Sequence, residues 1–67
     1  MAYLQINKNH GINLDGLASV NFGLELNVVR RVTLTFVFID GSHKSFDSLT
    51  YATEAELIQA SQNVFKN

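Results

Sequence analysis

Large apolar residues recur at even-numbered positions from Leu4 to Phe46, and most of the odd-numbered positions between them are polar. Alternation with a period of two is typical of a β-strand that buries one face. It predicts an antiparallel sheet with a buried even-numbered face and a solvated odd-numbered face. The side chains expected in the core are Leu4, Ile6, Ile12, Leu14, Val20, Phe22, Leu24, Leu26, Val32, Leu34, Phe36, Phe38 and Phe46.

Polar and glycine-containing turns divide this stretch into predicted strands. Asp15-Gly16 and Asp40-Gly41 are the clearest of these turns. Within the third strand, Gly23 is a candidate for a bulge or for the close approach of another backbone. The predicted strands span about residues 2–7, 12–14, 18–26, 29–39 and 42–49, and the fourth is expected to be the longest.

The last hairpin permits a prediction of its register. A two-residue Asp-Gly loop would place Phe46 opposite Thr35, on the polar side of the sheet. A three-residue loop that begins one residue earlier places Phe46 opposite Leu34 and keeps the apolar residues on one face. That loop corresponds to a type I turn with Gly41 in the left-handed conformation, followed by a bulge.

After Leu49 the apolar spacing changes to that of an amphipathic helix, expected at about residues 54–66. Thr53 and Glu56 have the spacing of a capping box. The helix is expected to cross the even-numbered face of the sheet with a stripe formed by Leu57, Ile58, Ser61, Val64 and Phe65. The predicted fold is therefore a single α+β domain over residues 1–67, an antiparallel meander of four to five strands with one C-terminal helix packed on one face.

Composition limits the ways in which such a domain can be stabilised. The chain has 67 residues, and a chain of this size buries only about 60% of the surface that it exposes when unfolded. It contains no cysteine, which excludes disulfides and thiolate metal sites. Close packing and self-association are the remaining ways to stabilise the fold. The sequence has neither an apolar run long enough to span a membrane nor a signal peptide, so the cytoplasm is the expected compartment.

Few residues suggest catalysis or metal binding. Ser42, His43 and Asp47 supply the residue types of a catalytic triad, but the last two lie too far apart along one strand for a hydrogen bond. His10 and His43 would need carboxylates such as Asp15 or Asp47 to complete a zinc site, and their spacing does not favour one. We therefore expect no catalytic residue, no metal and no cofactor.

Binding of single-stranded nucleic acid is the alternative function. A sheet can bind such strands by stacking bases on exposed aromatic rings within a basic groove. Most of the Phe residues are expected in the core, and the net charge is −1, so few counterions would be released and binding would be weak. The candidate contacts are Tyr3, Arg30, Arg31 and Lys44.

The odd-numbered face of the fourth strand departs from the polar pattern at Val37 and Ile39. In so small a chain, exposed apolar residues indicate an interaction surface. We therefore expect a non-enzymatic interaction module that self-associates, with a homodimer as the favoured oligomer. Edge pairing is a second route, because the strands lack proline and carry few charges. A small enzyme with a site between subunits is the least favoured hypothesis. The predicted interaction surface comprises Arg31, Thr33, Thr35, Val37, Ile39 and His43.

Overall fold

The chain folds into five antiparallel β-strands followed by one α-helix. The structure, a computed structural model, describes residues 3–66 and the side chains of residues 3–64. The predicted α+β class with a C-terminal helix is confirmed. The elements are β1 (Tyr3–Gln5), β2 (Gly11–Asn13), β3 (Leu17–Glu25), β4 (Arg31–Phe38), β5 (His43–Asp47) and α1 (Glu54–Lys66).

The five strands divide between two sheets rather than forming one continuous meander. Strands β1 and β2 form a hairpin, and β3, β4 and β5 form a three-stranded meander with β4 at its centre. Gly16 separates the sheets: its φ of 79° is favourable for glycine, and Leu17 N–H donates to Leu14 O (3.1 Å) across the turn. The reversal at this turn ends the hairpin before the longer sheet begins.

Most of the strands are shorter than the sequence predicts. β4 begins at Arg31 rather than near residue 29, so the nine-residue β3 is the longest strand and the expectation for the fourth strand is wrong. The suggestion of a bulge at Gly23 is also wrong, because this residue pairs regularly with Thr33. The register shift of β3 lies between Leu17 and Ser19. Regular pairing thus extends from residue 19 to residue 25.

The predicted register of the last hairpin is confirmed. Phe46 pairs with Leu34, and both side chains are buried. Gly41 has a φ of 92°, and its N–H donates to Phe38 O (3.0 Å). The glycine therefore supplies the left-handed residue that a three-residue loop of this type requires.

The capping box at the start of α1 is confirmed by reciprocal hydrogen bonds. Glu56 N–H donates to Thr53 Oγ1 (3.1 Å), and Thr53 N–H donates to Glu56 Oε1 (2.8 Å). The Thr53 amide lowers the pKa of Glu56, because the hydrogen bond favours the ionised carboxylate. These bonds satisfy backbone donors that a helix N-terminus leaves without partners.

The core lies between α1, the β1–β2 hairpin and the even-numbered face of β4 and β5. Most predicted core positions are buried, but Ile58 is 37% exposed, so its place on the buried stripe is wrong. Ala60 and Ser61 face the core beside Leu57, whereas Phe65 lies outside the described side chains. The buried apolar residues are Leu4, Ile6, Ile12, Val32, Leu34, Phe36, Phe46, Leu57 and Ala60.

Candidate functional site

The even-numbered face of β3 is largely uncovered. Phe22 pairs with Leu34 and Leu24 pairs with Val32, so these side chains lie on the same face as the core. Their partners on β4 are buried, yet Phe22 is 44% exposed and Leu24 is 51% exposed. The exposed apolar residues continue into the β3–β4 loop, and we call this set the β3 strip: Phe22, Leu24, Leu26, Val28 and Val29.

The position of α1 explains this exposure. The helix packs mainly on β4 and β1, and it makes little or no contact with β3, the outer strand of the three-stranded sheet. The sequence-based expectation that Phe22, Leu24 and Leu26 belong to the core is therefore wrong. Alternation places their side chains on the correct face but says nothing about which element covers that face. Phe22 and Leu24 thus form an exposed apolar surface beside the buried Leu34 and Val32.

The same strand also presents an open backbone edge. Phe38 N–H donates to Ser42 O (2.9 Å), so the even-numbered backbone groups of β4 point towards β5. The odd-numbered groups of β4 consequently face β3, where they meet Asn21 and Gly23. It follows that Phe22 directs its N–H and C=O away from β4. Within residues 3–66, β4 is the one strand paired with β3.

An ion pair anchors the loop that carries the end of the β3 strip. Arg30 Nε donates to Glu54 Oε2 (2.8 Å), and its Nη2 donates to Oε1 (2.7 Å), which is a bidentate arrangement. The guanidinium hydrogen bonds lower the pKa of Glu54, and the same contact raises the pKa of Arg30. This contact links the β3–β4 loop to the start of α1. Val28, in the same loop, is 95% exposed.

Five of the six predicted interaction residues lie on the odd-numbered face of β4 and β5, whereas Ile39 lies in the turn that follows β4. Val37 pairs with His43, and Thr35 Oγ1 lies 3.1 Å from Ser45 Oγ. Ile39 is 80% exposed, but Val37 is half-buried. As a binding surface the six residues stay a prediction: Arg31, Thr33, Thr35, Val37, Ile39 and His43.

The residues predicted to contact nucleic acid do not form one basic surface. Arg30 pairs with Glu54, and Arg31 pairs with Glu25 on the outward face. Lys44 lies on the opposite face of the sheet from Arg31, with its Nζ 6.0 Å from the centre of the Phe46 ring. Tyr3 is exposed on the separate hairpin. Because both guanidinium groups already have carboxylate partners, the arrangement offers little positive charge to a phosphate backbone.

The polar groups of the β4–β5 hairpin are engaged in turns. Ser42 Oγ donates to Asp40 Oδ1 (2.6 Å), and Asp47 Oδ1 accepts from the amides of Leu49 (3.1 Å) and Thr50 (2.7 Å). Hydrogen bonds from the hydroxyl and amide of Ser42 lower the pKa of Asp40. An open cavity of about 310 Å³ adjoins this turn and includes Asp40 and Ser42 in its lining. The Asp40 carboxylate in the lining of this cavity thus has a structural role, because it accepts the hydrogen bonds that hold the turn.

No metal centre is formed by the part of the chain that the structure describes. Within residues 3–66, no group of three or more His, Cys, Asp and Glu side chains is placed to hold a metal ion. His10 instead packs edge-on against Tyr51, with ring centres 5.4 Å apart, and it also lies near Phe46. This histidine therefore belongs to an aromatic cluster at the side of the core.

Asn7 is an organising residue that the sequence pattern did not identify. Its Oδ1 accepts from the amides of Asn9 (2.9 Å) and His10 (2.8 Å), which closes the β1–β2 turn. Its Nδ2 donates to Tyr51 O (3.0 Å) and to Glu56 Oε1 (3.4 Å). The turn contacts could be expected of an asparagine in a polar turn, because its side chain can bond to nearby backbone. The contacts across the fold depend on the tertiary arrangement.

Among the residues described, no helix is both long enough and apolar enough to cross a membrane. Comparison with known proteins finds no family model that matches the chain, and no curated protein or solved structure with significant similarity. The chemistry of the exposed surfaces is therefore the basis on which a function can be assigned.

Proposed function

We propose that this protein is a small, non-enzymatic interaction module that self-associates, and that the β3 strip is its contact surface. The proposal depends chiefly on one observation: Phe22 and Leu24 belong to the face of the sheet that forms the core, yet about half of each side chain is exposed. The cysteine-free composition is compatible with the cytoplasm, which is the compartment we propose.

Burial of apolar surface supplies the driving force for this association. Covering apolar area contributes roughly 25 cal/mol per Å², and specific dimers bury about 800 Å² on each partner. The chain exposes 4564 Å² in total. The β3 strip concentrates large aliphatic and aromatic groups in one region, whereas the outward face mixes apolar side chains with threonines and Arg31. The strip is thus the better-suited surface for self-association.

Matched double variants test which surface is used. Sedimentation equilibrium over a dilution series is expected to show that the unaltered chain exceeds its 7.5 kDa monomer mass. Phe22→Thr combined with Leu24→Thr retains strand-compatible residues, so the variant is expected to keep its fold and become monomeric. Val37→Thr combined with Ile39→Thr alters the outward face and serves as the control, which is expected to remain associated.

Three results would contradict the proposal. An unaltered chain that stays monomeric throughout the concentration range would remove self-association itself. Loss of association in the Val37/Ile39 control alone would move the interface to the outward face. Continued association of the Phe22/Leu24 variant would exclude the β3 strip. Circular dichroism on each variant verifies that a change in mass is not the result of unfolding.

A further inference from the structure

We infer that a second copy of this chain binds by antiparallel pairing of its β3 with β3 of the first copy, about a two-fold axis at Phe22. This inference rests on the proposed self-association and specifies how it occurs. The paired strands would join two three-stranded sheets into one six-stranded sheet. The first supporting feature is the open edge of β3.

Backbone geometry restricts how a second strand can add to this edge. Val20, Phe22 and Leu24 direct their N–H and C=O groups outwards, because their odd-numbered neighbours bond to β4. An antiparallel partner must place its own outward groups against them. If the partner is another β3, even-numbered residues therefore pair with even-numbered residues. The apolar faces of both copies then lie on the same side of the joined sheet.

The regular part of β3 selects the register. Pairing is regular from Ser19 to Glu25, and the register shift at residue 18 interrupts the strand beyond that point. The middle of this regular segment is Phe22. A two-fold axis there uses the whole segment and places Val20 opposite Leu24 of the second copy. The two Phe22 side chains become direct neighbours, and both lose exposed surface.

The charge of β3 is compatible with a second copy of the same strand. Glu25 is the one charged residue in β3, and it lies at the C-terminal end of the strand. In the symmetric register, Glu25 faces Ser19 of the second copy, whose hydroxyl is a donor. The two Glu25 carboxylates are separated by nearly the full length of the paired segment, so they do not repel each other strongly. The strand is thus complementary to itself in its backbone and apolar groups, and its one charged residue does not prevent the pairing.

The absence of native cysteine makes disulfide trapping a direct test. Asn21 of one copy should lie opposite Gly23 of the other as a pair without mutual hydrogen bonds, with a Cα separation of about 4.5 Å. That separation suits a disulfide. A Cβ at Gly23 would have Thr33 O as its nearest neighbour at 4.0 Å, so the substitution fits. Asn21→Cys and Gly23→Cys chains, one of them tagged, are mixed and oxidised.

The expected product is the mixed disulfide between the two variants, in large excess over disulfides within either variant alone. Asn21→Cys mixed with Ser45→Cys is the control, since Ser45 is exposed on β5 at the other edge of the same sheet. Crosslinking in this control would show head-to-tail pairing of β3 with β5 and overturn the inference.

Other outcomes distinguish the inference from the proposed function. Dominant self-crosslinking of the Asn21→Cys chain would move the axis to residue 21, and dominant self-crosslinking of Gly23→Cys would move it to residue 23. Either result overturns the register. A chain that is dimeric by sedimentation but gives no disulfide between these variants overturns strand pairing while self-association stands. A monomeric chain overturns both.

Discussion

Phe22 and Leu34 are directly opposed on neighbouring strands and point to the same face, yet Leu34 is fully buried and Phe22 is 44% exposed. The difference arises because α1 covers β4 and leaves the outer strand beside it uncovered. Two residues that are equivalent in the sequence pattern therefore contribute differently to the stability of a single chain.

Alanine substitution should separate these contributions. Leu34→Ala leaves a cavity in the core and is expected to lower the free energy of unfolding by about 2–5 kcal/mol. Phe22→Ala removes a half-exposed side chain and is expected to cost about 1 kcal/mol in the monomer. Urea unfolding at the lowest practical concentration measures both values. Equal losses for the two variants would contradict the view that the β3 strip lies outside the core.

Asn7 should stabilise the fold through both a local turn and contacts across the fold. Asn7→Ala removes the acceptor for two amides and the donor to Tyr51 O and Glu56, so we expect a loss of about 1–3 kcal/mol. Asn7→Asp keeps an acceptor for the turn but removes the donor and adds negative charge beside Glu56. Chemical denaturation compares the two variants. If Asn7→Asp matched the unaltered protein, the cross-fold contacts would contribute little.

Acid should destabilise the protein through its carboxylate hydrogen bonds. The pKa of Glu56 and that of Glu54 are both lowered from the ordinary value of 4.5 in the folded chain. Their stabilising effect is present above the unfolded pKa and is lost as the pH falls through the lower folded pKa. The thermal midpoint should therefore decline below about pH 4.5.

The variant Glu56→Gln tests this assignment. A glutamine can still accept the Thr53 amide in the capping box, but it does not titrate. Its thermal midpoint near pH 7 should stay close to that of the unaltered chain, and its decline between pH 5 and pH 3 should be shallower. Identical acid profiles for the two proteins would show that Glu56 does not contribute to the acid sensitivity.

Gly41 should tolerate no side chain without a loss of stability. Its φ of 92° is strained for residues that have a Cβ, and Gly41→Ala is expected to cost about 1–2 kcal/mol. Gly23→Ala is the matched control, because that glycine has no positive φ and lies in a regular strand. Thermal unfolding should show a lower midpoint for the first variant and little change for the second. A similar midpoint for both would contradict a conformational role for Gly41.

Local chemistry explains which features could be predicted from the sequence. The Leu34–Phe46 register follows from alternation combined with one turn residue, and the Thr53–Glu56 box follows from spacing alone. Each of these signals involves residues that are close along the chain. The left-handed conformation of Gly41 could also be predicted locally, because such a turn position favours glycine whatever the rest of the fold does.

The remaining features depend on tertiary placement. Exposure of Phe22 could not be predicted because alternation defines a face and not the width of the helix layer above it. The bond from Asn7 to Tyr51 O joins residues 44 apart, which no local pattern encodes. Ile58 fits a helical stripe, but the buried arc is narrower and centres on Leu57 and Ala60. These differences decide where the candidate surface lies.

The N-terminal turn of α1 is tied to the rest of the molecule by the capping box, by Asn7 through Glu56 and by Arg30 through Glu54. These contacts must break before the turn can open, so opening there requires the neighbouring loops to separate from the helix as well. The amide of Glu56, which donates to Thr53 Oγ1, should therefore exchange slowly with solvent although it lies in the first turn of a helix. Hydrogen exchange measured residue by residue should show this protection, and it should be lost when Asn7 or Arg30 is replaced by alanine.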